Sequence, residues 1–392
     1  RTLEKSAREV LSFPNAYGLT ARYALKALPS AAIIQIFSRM GLHMDASSGF
    51  EVERAIRAGV PPGHIQLTAQ ELPANFAELV QQGVLFNACS LNQLRQFGDA
   101  FRGSELSVRV NPGLGSGHSN RTNVGGPSAS FGIWHEHLDK ANAIAAQHKL
   151  RLTRMHTHIG SGADPEVWDR CAGLALNIAA SLPEVTCVSL GGGFKVGRMS
   201  GEKSADLQTI GARVVKEFED FAEKHERKLK LEVEPGTYLV ANAGALICTV
   251  TDIVDTGLEG YTFIKVDSGM TEVVRPSMYG AQHPIIIVPA TKEERGTKEY
   301  LVAGHCCESG DILTPEPGNP EGLAPRTLLE SRIGDALVVG GAGAYCAAMS
   351  SKNYNSFPEA PEMIIDNDGS LRLIRKRQSL AQIVENEVPL ES

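Results

Sequence analysis

The chain has 392 residues, 42% hydrophobic and 21% charged, close to soluble globular averages, which excludes wholesale disorder. That length suggests roughly two or three domains, unless a (β/α)8 barrel, which takes about 250 residues alone, resets the count. The net charge of −7 argues against a nucleic-acid partner, and no window offers the ~20 uninterrupted apolar residues of a membrane span. In chain order, short β-rich runs recur, each ending in a polar or glycine-rich turn. They are Tyr23–Ala27, Leu42–Ala46, Ile65–Ala69, Val84–Ala88, Leu106–Asn111, Met155–Ile159, Cys187–Leu190 and Leu229–Glu234. Between them, helical spacing marks Gly49–Ala58, Pro73–Gln82, Leu91–Phe97, His137–His148, Val167–Ser181 and Ile210–Arg227. Eight β/α units predict a TIM-type (β/α)8 barrel over residues 1–244 rather than an open doubly wound sheet. The Gly/Ser/Asn-rich stretch Pro112–Ser130 interrupts this rhythm and is expected to be a long surface or active-site loop.

From about Ala245 the pattern changes to strand-like runs without helices between them: ALICTVTDIVDT, YTFIKVDSG, HPIIIVPA, EYLVAGH and DALVVGG. Residues 245–392 are therefore expected to form a mostly antiparallel β-domain, with a helical interruption at Cys346–Lys352 and a short helix near Leu380–Glu387. The chain opens at Arg1 without a methionine or a signal-peptide pattern, so its true N-terminus is expected upstream. Seven scattered cysteines with no C-x-x-C make a poor disulfide framework. A reducing, cytoplasmic compartment follows, with most cysteines serving as small buried hydrophobes.

Barrel chemistry sits at the C-terminal ends of the strands. Those ends carry Lys26, Asp45, Asn111, His158 with Ser161, the triplet Gly191–Gly193, and Glu234 with Gly236. A lysine inside the apolar run YALKA is either an edge lysine reaching water or an amine kept for Schiff-base chemistry. LGGGF removes three side chains after a strand, so its backbone N–H groups can cradle a phosphate; a tight βα turn explains it as well. EPGT repeats the glycine at another strand end behind a carboxylate, where an ordinary turn is the bland alternative. His156 and His158 point to the same side of one strand. They read as a metal pair, as an imidazole stacked on a flat cofactor ring, or as hydrogen-bonded core histidines, and the metal reading lacks further ligands at other strand ends. In the β-domain, HCCESGD (His305–Asp311) joins the Cys307 thiol to the Glu308 carboxylate in a turn that could equally be a solvated loop. Tyr345, after a Gly-Ala turn, is a ligand contact or a core aromatic.

Taken together and in order, YALKA, HTHIGSG, LGGGF, EPG, VDSGMTEVVRPSMYGAQHP, CESGD and GAYCAAMSSKNYN resemble the fold-type III pyridoxal-phosphate decarboxylases. Within them the resemblance is strongest to the branch acting on diaminopimelate, and it runs from about Tyr17 to Pro389. It implies pyridoxal 5'-phosphate as cofactor, held covalently by Lys26, with His158 stacked on its ring and Asp45 nearby. Ser161, Gly193, Gly236 and Tyr345 would hold its phosphate, with Gly192 alongside. Glu234 would face the pyridine nitrogen, where a carboxylate favours the protonated ring and strengthens the electron sink. Cys307 would be the proton donor, Glu308 would read the substrate's distal ammonium, and Arg275, Tyr279 and Tyr345 would bind substrate. Cys307 and Glu308 would come from a second subunit, which makes the enzyme an obligate homodimer.

The implied reaction converts meso-2,6-diaminopimelate to L-lysine and CO2. Alternatives are a decarboxylase of D-lysine, D-ornithine or a carboxylated polyamine, an amino-acid racemase, and a non-catalytic cofactor-binding regulator. Two departures stand out: EPGR of the family is EPGT here, and YNSRP is YNSFP. Thr237 and Phe357 thus replace two cations, leaving the distal carboxylate to Arg275 and Tyr279. The N-terminal strand that joins the β-domain in relatives is also missing from this sequence.

Overall fold

Eight short strands, apolar runs with polar residues set into them, pair in parallel and close on themselves. They are β1 (Leu19–Ala24), β2 (His43–Ala46), β3 (Ile65–Leu67), β4 (Leu85–Ala88), β5 (Glu105–Asn111), β6 (Arg151–His156), β7 (Cys187–Ser189) and β8 (Lys230–Val233). Each pairs with the next in sequence and β8 returns to β1, so the expected (β/α)8 barrel is present. The computed structural model describes residues 1–115, 125–158 and 162–390. The chain divides into two compact units. One is Thr2–Val196 with Lys203–Leu239; the other is Val240–Ser392 with Arg1 and Gly197–Glu202.

The first strand corrects the sequence reading. Only Leu19–Ala24 makes ladder pairs, while Leu25–Ala27 forms a 3-10 turn, so Lys26 stands just beyond the strand and is exposed. The six expected helices all form, with ends displaced by a few residues, and Thr2–Leu11 and Ala31–Arg39 are further helices. Local chemistry fixes their starts. Ser48 Oγ accepts from Glu51 N at 3.2 Å while Glu51 Oε2 accepts from Ser47 N at 2.7 Å. In Leu207–His225, Ile210, Val214, Phe218 and Phe221 recur at helical spacing and form the buried stripe. The flanks of the long loop, 112–115 and 125–130, hold no helix or strand; residues 116–124 lie outside the described residues. Asn111 ties those flanks together. Its Nδ2 donates to Gly126 O at 3.0 Å, and its Oδ1 accepts from Gly113 N and Gly126 N.

The barrel interior is polar at its centre. Glu232 on β8 accepts from Arg22 of β1 at 2.9 Å and from Arg154 of β6 at 2.6 Å, and Arg154 also donates to Gln66 of β3. Burial alone would raise the Glu232 carboxyl, but the two guanidinium groups outweigh it and hold the pKa at about 2. This triad closes the floor beneath the strand ends.

In the second unit a six-stranded sheet carries the core. Its strands are β9 (Leu246–Asp255), β10 (Thr262–Val266), β11 (Ile285–Val288), β12 (Thr297–Ala303), β13 (Arg326–Leu329) and β14 (Ala336–Val339). The order is β11-β14-β9-β10-β12-β13, antiparallel except for β10 with β12, matching the expected mostly antiparallel domain. Val250, Ile264, Val302, Leu313, Leu337 and Val339 are its fully buried centre. The expected helix at Cys346–Lys352 is absent: the segment is a series of turns, flanked by Tyr345 and Asn353 at positive φ. The last helix is shorter than expected, Leu380–Ile383. All seven cysteines are free and five are buried. Among the described residues, no helix is long and apolar enough to cross a membrane.

Candidate active site

Glu234 lies just past the end of β8, buried, two residues beyond Glu232 and so on the same inward side. Its Oε1 accepts from Ser189 Oγ of β7 at 2.9 Å and from Gln66 Nε2 at 3.2 Å. Gln66 Nε2 also reaches Asp45 Oδ1 of β2 at 3.4 Å, and Thr68 Oγ1 donates to the same Asp45 oxygen at 2.7 Å. His156 Nδ1 accepts from Asn87 Nδ2 at 2.9 Å, which leaves the ring proton on Nε2. That Nε2 stands 3.2 Å from Glu234 Oε2 but is misaligned for a hydrogen bond. Strand ends β2, β3, β4, β6, β7 and β8 thus contribute to one connected polar floor.

Burial raises the Asp45 carboxyl to about 7, with the negative neighbour Glu234 adding to the effect and the Lys26 ammonium opposing it. Burial likewise raises Glu234, against the hydrogen bond from Ser189. Burial pushes His156 and His158 well below the ordinary imidazole value, and the Lys26 and Arg109 cations push the same way. Both rings are neutral at physiological pH, and His158 Nδ1 is buried without a partner. The rings of His156 and His158 are 6.4 Å apart: His156 sits beside Glu234, and His158 lies against the glycine turn at Gly191.

The glycine turn is shaped by its neighbours. Gly191 sits at φ +70°, and a Cβ there would come within 2.6 Å of His158 Nδ1; one at Gly192 would collide with the Glu234 carbonyl. Gly193, at φ +101°, accepts from Gly162 N at 2.9 Å, tying LGGGF to the turn after β6. Gly236 packs its α-carbon against Ala24 and Ala27, beside Lys26. Lys26, Asp45, His158, Gly192, Gly193, Glu234 and Gly236 therefore gather at the C-terminal end of one barrel, while Ser161 lies outside the described residues. Sequence reading missed Gln66, Thr68, Asn87 and Ser189. The signal was there: single polar residues set at the inward period of otherwise apolar strands.

The second unit holds the remaining candidates. Arg275 and Tyr279 lie on one face of the short helix Arg275–Tyr279, which Pro276 starts and Gly280, at φ +62°, ends. Arg275 Nη1 donates to His283 Nε2 at 3.2 Å, while His283 Nδ1 donates to Gly340 O at 2.9 Å. Cys307 and Glu308 are exposed on a turn anchored by buried Asp311, whose carboxylate accepts from Met270 N at 2.7 Å and Cys306 N at 3.0 Å. Cys307 N donates to Asn355 Oδ1 at 2.8 Å, joining CESGD to the YNSF segment. Phe357, at the position of the missing arginine, stacks on His305 with ring centroids 3.6 Å apart. Tyr345 holds φ +55°, a costly conformation for an aromatic residue that persists only when its surroundings impose it.

Residues 3–241 match the pyridoxal-binding domain of pyridoxal-dependent decarboxylases, and residues 237–343 match their C-terminal sheet domain. The chain belongs to this family of pyridoxal-phosphate-dependent amino-acid decarboxylases. It is 36% identical over 376 residues to diaminopimelate decarboxylase of Escherichia coli, covering 94% of this chain and 88% of the relative. It is 35% identical to that of Streptomyces coelicolor, covering 94% and 84%. A crystal structure of diaminopimelate decarboxylase superposes with a TM-score of 0.91 at 35% identity, covering 98% of this chain and 91% of that one.

The barrel mouth fits the family's cofactor. Two buried carboxylates with raised proton affinity suit a cationic ring nitrogen, an exposed lysine amine stands near them, and His158 offers a buried, unpartnered ring edge. The glycine turns present backbone rather than side chain where an anion would lie, and Gly162 has open space in the Cβ direction.

Proposed function

We propose that this chain decarboxylates meso-2,6-diaminopimelate to L-lysine and CO2, serving lysine biosynthesis. The observation that carries the substrate is Arg275, held by buried His283 and without a carboxylate ion pair among the described residues. A distal carboxylate supplies that partner. Pyridoxal phosphate, when bound, supplies the electron sink for the carbanion left at Cα by loss of CO2. Lys26 would hold the cofactor covalently, His158 would pack on its ring, and Ser161, Gly192, Gly193, Gly236 and Tyr345 would hold its phosphate. Glu234 would keep the ring nitrogen protonated, and Asp45 shares its hydrogen-bond network through Gln66. Cys307 delivers the proton to Cα, Glu308 reads the distal ammonium, and Arg275, Tyr279 and Tyr345 bind the rest of the substrate.

The barrel, residues 1–244, holds the cofactor, and the C-terminal β-domain, residues 245–392, contributes to the site, with Cys307 and Glu308 coming from a second copy in an obligate homodimer. The seven free cysteines support a reducing, cytoplasmic setting. A product assay across meso-diaminopimelate, D-lysine, D-ornithine and a carboxylated polyamine tests the substrate. Diaminopimelate should give the highest kcat/KM with L-lysine as product. Preference for a substrate lacking the distal carboxylate overturns the assignment and makes Thr237 and Phe357 the marks of that other specificity.

Glu234→Gln should retain the cofactor but slow turnover by about 10–10³-fold, the equivalent of the one to three pKa units a neighbouring charge contributes. Wild-type turnover in that variant removes Glu234 from the ring nitrogen. For the assembly, a Lys26→Ala chain mixed with a Glu308→Ala chain should regain activity, because each mixed dimer carries one intact composite site, about half the native number. No recovery under proven subunit exchange means that each site is built within one chain.

A further inference from the structure

We infer that Arg198 is a second cation for the substrate's distal carboxylate, forming with Arg275 a two-guanidinium site that compensates for the arginines absent at positions 237 and 357. The inference deepens the proposed diaminopimelate reading and rests on it.

Arg198 lies in Gly197–Glu202, the stretch that groups with the C-terminal unit although its chain neighbours belong to the barrel. Its Nε donates to Gly341 O at 3.0 Å. Arg275 reaches the adjacent carbonyl, Gly340 O, through His283. Both guanidinium groups are thus pinned to one two-residue turn. Gly341 has φ +63°, and a Cβ there would approach the Arg198 stem at 3.0 Å, so glycine leaves room for the side chain to lie flat.

The charge balance of this pair is incomplete. Arg198 Nη2 is buried without a hydrogen-bond partner, and neither arginine forms an ion pair among the described residues. Glu202 Oε2 accepts from the backbone N–H of Arg198 and Met199, at 2.8 and 3.1 Å, and its charge also acts on the Arg198 guanidinium through space. Cys346 is nearby, but burial raises its thiol to about 11, so it carries no charge at neutral pH. Burial, with the positive charge of Arg275 added to it and Glu202 opposing, lowers Arg198 to about 10, which leaves it cationic there. Two half-buried like charges held on adjacent carbonyls are unfavourable alone and favourable around an anion. A planar carboxylate, with two oxygens and about four lone-pair directions, accepts from both forks at once.

The test uses the holoenzyme and the variants Arg198→Gln, Arg198→Lys and Arg275→Gln. In Arg198→Gln, KM for meso-diaminopimelate should rise roughly 10–100-fold, the range for losing a hydrogen bond to a charged group, with kcat little changed. Turnover of D-lysine, which has no distal carboxylate, should fall far less. Pimelate, a dicarboxylate without the amino groups, should lose competitive affinity in parallel. Arg198→Lys should recover much of the loss, and the double Gln variant should be non-additive, since both groups share one anion. Cofactor absorbance and melting temperature should stay near wild type in each.

A KM for diaminopimelate within twofold of wild type in Arg198→Gln overturns the inference. Equal losses on diaminopimelate and D-lysine, or no rescue by lysine, also overturn it and leave Arg198 a packing residue. If the wild-type enzyme does not decarboxylate diaminopimelate, the proposed function fails instead. Calorimetric titration with pimelate then decides the anion site by itself: binding that Arg198→Gln weakens retains the site, and no binding rejects it.

Discussion

Lys26→Ala should abolish the visible absorbance of lysine-bound cofactor and reduce turnover at least ~10³-fold, as expected when a covalent group is removed from a site that works as a unit. The placement of Lys26 sharpens this expectation. It stands beyond β1 on a 3-10 turn, exposed, so its removal leaves no cavity in the barrel core. The variant should therefore melt near the wild-type temperature when both are compared without cofactor. Borohydride reduction of the variant should leave no cofactor attached to the chain. A stable adduct would move the attachment point to another lysine and take the role from Lys26.

Glu232→Gln should instead act on stability, costing about 3–5 kcal/mol, the loss seen when one partner leaves a buried ion pair. Arg22 and Arg154 would then face each other across a neutral amide inside the barrel. Thermal unfolding should drop by roughly 6–20 °C for a unit of this size. The pH dependence has a defined sign. Glu232 has its folded pKa depressed to about 2 from the ordinary carboxylate value of about 4.5, so its contribution is present above about 4.5 and is lost as pH falls toward 2. The gap between wild type and variant should be full at neutral pH and close on acidification. Equal melting of the two at pH 7 would mean that the triad stabilises nothing.

The barrel was legible because each unit repeats a short apolar run, a turn and a helical stripe, and eight repeats leave little freedom of topology. Lys26 was found but misplaced, since the apolar spacing of YALKA continues past the last ladder pair at Ala24. Gln66, Thr68, Asn87 and Ser189 were passed over because one polar residue in an apolar run looks like ordinary alternation. Only when all strands are superposed do they form a connected floor. Arg198 left no local trace, for it sits in a loop and its anchoring carbonyl is 143 residues away.

The C-terminal unit was harder to read for similar reasons. AYCAAMSSK includes good helix formers such as Ala and Met, yet the chain there runs as turns, with Tyr345 in a left-handed conformation that its surroundings impose. The strand Arg326–Leu329 is four residues long and gains its order from pairing with β12, not from its own composition.

The Asp311 anchor has a consequence for how the sequence can vary. Its carboxylate fills the space where a Cβ on Gly269 or Gly304 would stand, and either methyl would overlap it. Three positions in separate segments, VDSG, AGH and CESGD, therefore behave as one joint. An alanine at either glycine must displace the carboxylate that caps Met270 N and Cys306 N, and the disturbance arrives at Cys307 one residue later. Drift at 269 or 304 is tolerable only with a smaller residue at 311, and that residue would release the turn. Changes of specificity are consequently open at Glu308 and Phe357, which lean on this joint, and closed at the joint itself.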